Sequence, residues 1–267
     1  MTEISTIDTQ TKIFSQENIS GANQIKQDVL NNKKKDIVIK VDNLKKVYRV
    51  GKQPVFALNG VSFEIERGEF CSIVGTSGSG KSTLLNLMAG LEPPSKGNII
   101  INNLPIVGLS EKKLVDFRRD QVGFIFQSFN LIQTMTAWEN VALPLIFRGT
   151  PISKRKKIAI RILHKLGLKT HIYHKPNELS GGQQQRVGIA RALVVNPAIV
   201  FADEPTGNLD STTSAEILQL MQEISRDNNQ TLIMVTHDEH LAQYADRIFR
   251  ISDGKIIGIE KGSKHNE

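Results

Sequence analysis

The chain holds a single cysteine, Cys71, in 267 residues, which excludes an internal disulfide and fits a reducing compartment. Cys71 lies in Phe70-Cys71-Ser72-Ile73-Val74, a run that reads as a buried strand, where a cysteine acts as a small core residue rather than a reactive thiol. No apolar stretch approaches the ~20 residues that span a bilayer, and residues 1–10 lack the basic-then-apolar pattern of a secretory leader. These absences predict a cytoplasmic chain that meets a membrane only through a partner. Acidic residues are the minority, 27 against 34 Lys+Arg. The resulting charge of +7 suits anionic partners such as nucleotides, nucleic acid or an acidic membrane, or else marks a Lys-rich solvated surface. No internal repeat is visible. Hydrophobic residues make up 39% and charged residues 23%, which excludes a fibrous or wholly disordered chain.

Residues 1–35 are polar and read as a mobile extension; an amphipathic helix over 19–30 that forms on a partner or membrane is the alternative. Folded structure is expected over 36–261, with 262–267 as a tail. Strands are predicted at 37–41, 45–50, 62–66 and 70–74, then a Gly-rich loop and a helix over 81–89. Short strands at 98–101 and 122–126 flank a helix over 110–119. Residues 128–185 read as mostly helical, with a basic amphipathic helix over 152–166. Helices over 181–194, 211–226 and 239–244 alternate with apolar strands at 198–202 and 231–235, as in a parallel α/β sheet. A hairpin closes the chain, 247–251 and 255–259, around Asp253-Gly254.

Gly75-Thr76-Ser77-Gly78-Ser79-Gly80-Lys81-Ser82 fits G-x-x-x-x-G-K-[ST], between a strand and a helix. Glycines let backbone N–H groups close around a phosphate, and the helix N-terminus adds its positive dipole end. Lys81 supplies charge for the β- and γ-phosphates, and Ser82 an oxygen for Mg²⁺; Thr83 follows in the same turn. The pattern predicts ATP with Mg²⁺ as the bound species.

The strand at 198–202 runs straight into Asp203-Glu204-Pro205. In a parallel sheet, ligands sit beyond the carboxyl ends of strands. Asp203 is expected to meet the Mg²⁺ shell, and Glu204 to take a proton from water or orient it. The competing reading is an exposed acidic turn.

Leu179-Ser180-Gly181-Gly182-Gln183, followed by Gln184-Gln185-Arg186, resembles the signature of the ABC ATPases. A serine and two glycines opening a helix make a second phosphate site, although the same residues suit a plain helix cap. The resemblance covers residues 37–259. It implies an α/β fold with a P-loop NTPase core, an antiparallel β subdomain and a helical subdomain near 128–185. It also implies that Tyr48 stacks on adenine, Gln127 senses Mg²⁺ and water, Asp210 lies at a dimer interface and His237 contacts the γ-phosphate. The alternatives for these four are a core tyrosine, a loop amide, a helix cap and a structural histidine. By the same resemblance, the signature of one subunit completes the ATP site of a second, so a homodimer is implied.

Phe126-Gln127-Ser128-Phe129-Asn130-Leu131 and Thr136-Ala137-Trp138-Glu139-Asn140-Val141-Ala142-Leu143-Pro144 are similar to the lipoprotein-release, macrolide-efflux and cell-division branch of that family. So is Pro205-Thr206-Gly207-Asn208-Leu209-Asp210. The branch implies a peripheral subunit on the cytoplasmic face, bound to a membrane-spanning permease through a groove at 127–144, with Phe129 as an exposed apolar contact. Either an exporter or extractor, or a mechanotransmission ATPase driving an extracytoplasmic hydrolase, fits this pattern. A soluble ABC ATPase acting on nucleic acid normally has a coiled-coil insertion or two cassettes. Neither is present, so no nucleic-acid partner is expected.

Overall fold

A computed structural model describes residues 36–51 and 53–263. The expectations for 1–35 and for the last four tail residues lie outside the described residues.

Two sheets form the body. The larger has six strands in the order β10-β9-β3-β8-β7-β6. Its members are β3 (Phe70–Val74), β6 (Val122–Ile125), β7 (Ile199–Asp203), β8 (Thr231–Thr236), β9 (Arg247–Ser252) and β10 (Lys255–Lys261). All neighbours pair in parallel except the β9–β10 hairpin. Its turn at Asp253-Gly254 has positive φ at both residues, as a tight hairpin with right-handed twist requires.

The central strands are apolar on both faces because both faces are covered. Side chains alternate between two cores. Cys71, Ile73, Ile199, Phe201, Ile233 and Val235 face one core, shared with α1 (Lys81–Met88) and the antiparallel sheet. Phe70, Val200, Ala202, Leu232 and Met234 face the other. That second core is shared with α3 (Ala137–Phe147), α4 (Ile152–Lys165), α5 (Gly181–Leu193) and α6 (Ser211–Asp227).

The smaller sheet is antiparallel, in the order β2-β1-β4-β5. Here the structure differs from the sequence expectation. The two strands expected over 37–50 are one strand, β1 (Ile37–Val50), irregular between Val41 and Leu44 where Asn43 takes φ 45°. A bulge bends a strand without ending it. Its partner β2 (Gln53–Glu66) starts well before residue 62, and β4 (Lys96–Ile101) is followed by the two-residue β5 (Leu104–Pro105). The early part of β2 is exposed and carries no buried alternation to read.

Helix α2 (Glu111–Gln121) leads into β6. Between β6 and α5 the chain is helical, in α3, α4 and a 3₁₀ turn at Pro176–Glu178. Thr136 and Glu139 form a capping box at the start of α3, with the Thr136 N–H donating to Glu139 Oε2 at 2.8 Å. Fully buried Asn140 accepts from the Ile132 N–H and donates to the carbonyls of Ile132, Met135 and Thr136. One side chain thereby fixes the loop after β6.

Candidate functional site

Strands β3, β8 and β7 lie side by side and end at the same edge of the sheet. The residues just beyond them are Gly75, His237 and Glu204, so adjacency of the parallel strands assembles what the sequence keeps far apart. The loop after β3 needs its glycines. A Cβ at Gly80, where φ is 104°, would stand 2.3 Å from the Ala57 carbonyl oxygen, and one at Gly75 would stand 2.2 Å from that of Ile251.

Lys81 opens α1. It is buried, and its Nζ donates to the carbonyls of Gly75 at 2.9 Å and Thr76 at 2.8 Å. Burial pulls its pKa down, while the charges of Glu204 and Asp203 oppose that fall. Ser82 Oγ donates to Asp203 Oδ1 at 3.1 Å. Burial pushes the Asp203 carboxyl up, and the Ser82 hydrogen bond acts the other way. Glu204 follows with φ 45°, and its N–H donates to the Val235 carbonyl at 3.0 Å. Its Oε1 lies 3.1 Å from Nδ1 of His237. Ser77, Gly78, Gly80, Lys81, Ser82, Thr83, Glu204 and His237 line one open cavity with Ala57. Thr76 is exposed at its rim, whereas Ser79 is buried beneath the loop.

Tyr48 does not line that cavity but lies against Thr83, which does. Its hydroxyl donates to Glu92 Oε2 at 2.7 Å, and Lys46 Nζ sits 5.0 Å from its ring centre. Burial and the Glu92 carboxylate raise the phenol pKa, with Thr83 acting against them. Gln127 does not line that cavity either. Its carbonyl accepts from Asn208 Nδ2 at 2.9 Å, and its amide lies against Gly207, where an added Cβ would come within 2.8 Å of Nε2. Of the three expected metal-shell residues, Ser82 and Asp203 are hydrogen-bonded to each other, and Gln127 contacts Gly207 and Asn208 in the turn that follows Glu204. Phe129, expected as exposed, is half-buried against the helical core, and its carbonyl accepts from Arg191 Nη2.

Ser180, Gly181, Gly182 and Gln183 line a second cavity, together with Asn208 and Asp210. Ser180 caps α5 in a capping box: Ser180 Oγ accepts from the Gln183 N–H at 3.3 Å, and Gln183 Oε1 accepts from the Ser180 N–H at 2.9 Å. A Cβ at Gly182 would lie 2.8 Å from Thr213 Cγ2, so a side chain there would press on α6. Asp210 caps α6, accepting from the Thr213 N–H at 2.9 Å and the Thr213 hydroxyl at 2.7 Å, and these bonds hold its carboxyl below the usual range. The two cavities share no lining residue.

The sequence places Gln185 in the signature but assigns it no role. It is fully buried, and its Nε2 donates to the Pro205 carbonyl, tying the signature helix to the turn after Glu204. A signal existed: 185 shares the helical stripe of buried Gly188, Ile189 and Ala192, and a polar residue there needs a partner.

A lysine-bearing loop at a helix N-terminus holds phosphates, and the Ser82–Asp203 oxygens beside it suit a hard cation on those phosphates. The class so defined is a P-loop nucleoside triphosphatase. A family model described as ABC transporter matches residues 58–207, and the chain belongs to that family, as one of its ATP-binding, ATP-hydrolysing subunits.

It is 47% identical over 225 residues to the ABC transporter ATP-binding protein YtrE of Bacillus subtilis, covering 83% of this chain and 97% of that one. It is 48% identical over 224 residues to the macrolide export ATP-binding/permease protein MacB of Bdellovibrio bacteriovorus, covering 84% of this chain and 34% of that protein. The chain thus spans about a third of the MacB relative and nearly all of YtrE. Among solved structures, the dimeric ATP-binding cassette MJ0796 of Methanocaldococcus jannaschii, bound to ADP and Pi, matches with a TM-score of 0.79 at 44% identity. That match covers 85% of this chain and all of that one.

Proposed function

We propose that this chain is the energising subunit of an export-type ABC system, working as a homodimer on the cytoplasmic face against a membrane-spanning permease. The observation that carries the reading is the separation of the two half-sites. The phosphate loop with Glu204 and His237 forms one cavity, and Ser180 with Asp210 forms another. Two copies facing each other supply the missing half to each site. The names of the MacB and YtrE relatives support a transporter, and MacB supports export.

In this reading Lys81 and the backbone of residues 75–83 hold the ATP phosphates. Ser82 and Asp203 hold Mg²⁺, which when bound neutralises charge on the phosphate oxygens. The 3.1 Å Ser82–Asp203 pair is an all-oxygen donor set of the kind a hard cation takes. Glu204 accepts a proton from the attacking water, and His237 orients the Glu204 carboxylate through Nδ1. Ser180 and the first turn of α5 meet the γ-phosphate bound by the partner copy. In the same reading Gln127 contacts the catalytic water and Tyr48 stacks on the adenine.

The test is membrane fractionation of the chain at its native level. It should sediment with membranes and be released by alkaline carbonate without detergent, and Glu204→Gln should dimerise with MgATP. A chain found only in the soluble fraction overturns the transporter reading, and a monomer with MgATP overturns the dimer.

A further inference from the structure

The loop entering the signature helix carries an imidazole that the nucleotide chemistry leaves unused. His171 Nε2 is 3.2 Å from Gln183 Nε2, and His171 Nδ1 is 3.0 Å from Thr170 Oγ1. The Gln183 amide has its orientation fixed independently, because its Oε1 accepts from the Ser180 N–H at 2.9 Å. Its nitrogen end therefore faces the ring, and an amide nitrogen only donates. His171 Nε2 must accept. The ring is neutral, with its proton on Nδ1 and Thr170 Oγ1 accepting it. Ser180, Gln183, His171 and Thr170 form one directed chain of hydrogen bonds that starts at the N–H of the signature serine and ends on Thr170 Oγ1.

We propose that His171 is a positioning residue for the signature: its neutral ring holds Gln183 in the capping box that presents Ser180, and a proton on Nε2 releases it. The proposal rests on the reading of Ser180 as a contact to the partner's nucleotide. A protonated ring sets N–H against N–H across 3.2 Å. If the amide turns to offer its oxygen, the Ser180 N–H loses that oxygen instead. Both routes strip a bond from the first turn of α5.

Four charged groups on the neighbouring elements are engaged elsewhere, and Lys169 and Lys175 in the loop itself are exposed. Arg186 on α5 binds the Leu166 carbonyl and Glu216 of α6. Lys156 of α4 sits over the rings of Trp138 and Tyr173. Glu178 accepts from the Lys175 N–H, and Glu139 of α3 is taken by Thr136. The titratable group in ring contact is His174, at 5.1 Å between centroids. Among the described residues no carboxylate pairs with His171.

Two variants of the full chain separate the possibilities, with MgATP turnover and KM measured from about pH 6 to 8. His171→Phe keeps a ring but no acceptor. His171→Gln keeps an acceptor near the Nε2 position and cannot titrate in this range. His171→Phe should lower kcat about threefold to tenfold, the range for losing one hydrogen bond, with ADP affinity unchanged. His171→Gln should match the wild type near pH 8 and exceed it near pH 6. His171→Phe turnover equal to wild type overturns the proposal. So does an acid limb of His171→Gln superimposable on the wild type, which decides the matter if His171→Phe fails to fold. ATP-driven dimerisation of Ser180→Arg would sink the parent reading. A Ser180→Arg monomer alongside a His171→Gln profile identical to wild type would sink this inference alone.

Discussion

Nδ1 of His237 and Oε1 of Glu204 stand 3.1 Å apart, one residue beyond the ends of adjacent parallel strands β8 and β7. Register sets that distance. Asp203 pairs with Val235, so Glu204 leaves β7 level with Thr236, and His237 follows one residue later at the same sheet edge. Glu204 also takes φ 45°, which turns it away from the direction of Asp203. Two adjacent carboxylates are thereby assigned to different neighbours, Asp203 to Ser82 and Glu204 to His237.

Glu204→Gln removes the basic oxygen while keeping size and a partner for His237. A positioned general base is worth about 10²–10⁴ in rate, or about 3–5 kcal/mol of barrier. Turnover should fall by that factor while ATP affinity holds, and the ATP-bound dimer should accumulate by mass action. Near-normal steady-state hydrolysis would remove Glu204 from this role.

Lys81→Ala should lose nucleotide binding itself. The Nζ lies within the loop, held by two of its carbonyls, and no other described cation lines the cavity apart from His237 when protonated. Titration with a fluorescent ATP analogue reads this directly, and equal affinity in mutant and wild type would refute the phosphate role.

Asp203→Asn gives a prediction of the opposite sign for stability and activity. Burial raises the Asp203 pKa in the folded chain. A carboxyl raised above its unfolded value favours folding when protonated, and that contribution is lost as pH rises through the folded pKa. At neutral pH the charge therefore destabilises the nucleotide-free fold. Asp203→Asn still accepts from Ser82 and carries no charge. Its thermal midpoint without nucleotide should exceed the wild type at pH 7 and converge with it on acidification, while MgATP hydrolysis falls. A lower midpoint at pH 7 would contradict the burial argument.

The phosphate loop was legible because its residues are contiguous, and a strand and a helix fix their geometry. Asp203-Glu204 was legible for the same reason, lying at the end of an unbroken apolar run. What the sequence hid depends on distant contacts. Tyr48 is set by Glu92, 44 positions away, and Gln185 by Pro205, 20 positions away. The burial of Ser79 and Phe129 follows from packing that no local pattern encodes. Asn43 shows a conformational limit: a single positive φ converts an apparent strand break into a bulge.

The permease groove expected at 127–144 needs a different probe from Phe129, whose loss would disturb the core. Ile132 is better placed, with its backbone pinned by Asn140 and its side chain 41% exposed. Ile132→Asp should leave basal hydrolysis intact and abolish stimulation by the permease in reconstituted vesicles. Full stimulation would show that the groove lies elsewhere.

The trans arrangement of the signature is open to a covalent test. Ser79 is too buried to take part, since it is 4% exposed, but Ser77 and Ser180 are both exposed. Cys71, the single native thiol, is fully buried, and burial raises its pKa, so it will not compete for oxidant. In the Glu204→Gln background, Ser77→Cys and Ser180→Cys are placed in one chain. If Ser180 faces the partner's phosphate loop, mild oxidation with MgATP should give a dimer on a non-reducing gel, and oxidation without nucleotide should not. A second preparation mixes chains that carry one cysteine each, and only the mixture should cross-link across the composite site. The Ser180→Arg change in the cysteine-bearing Ser77 chain leaves one intact pairing, so the mixed cross-link should survive at reduced yield. Cross-linking confined to a single chain, or equal with and without MgATP, would exclude the trans arrangement.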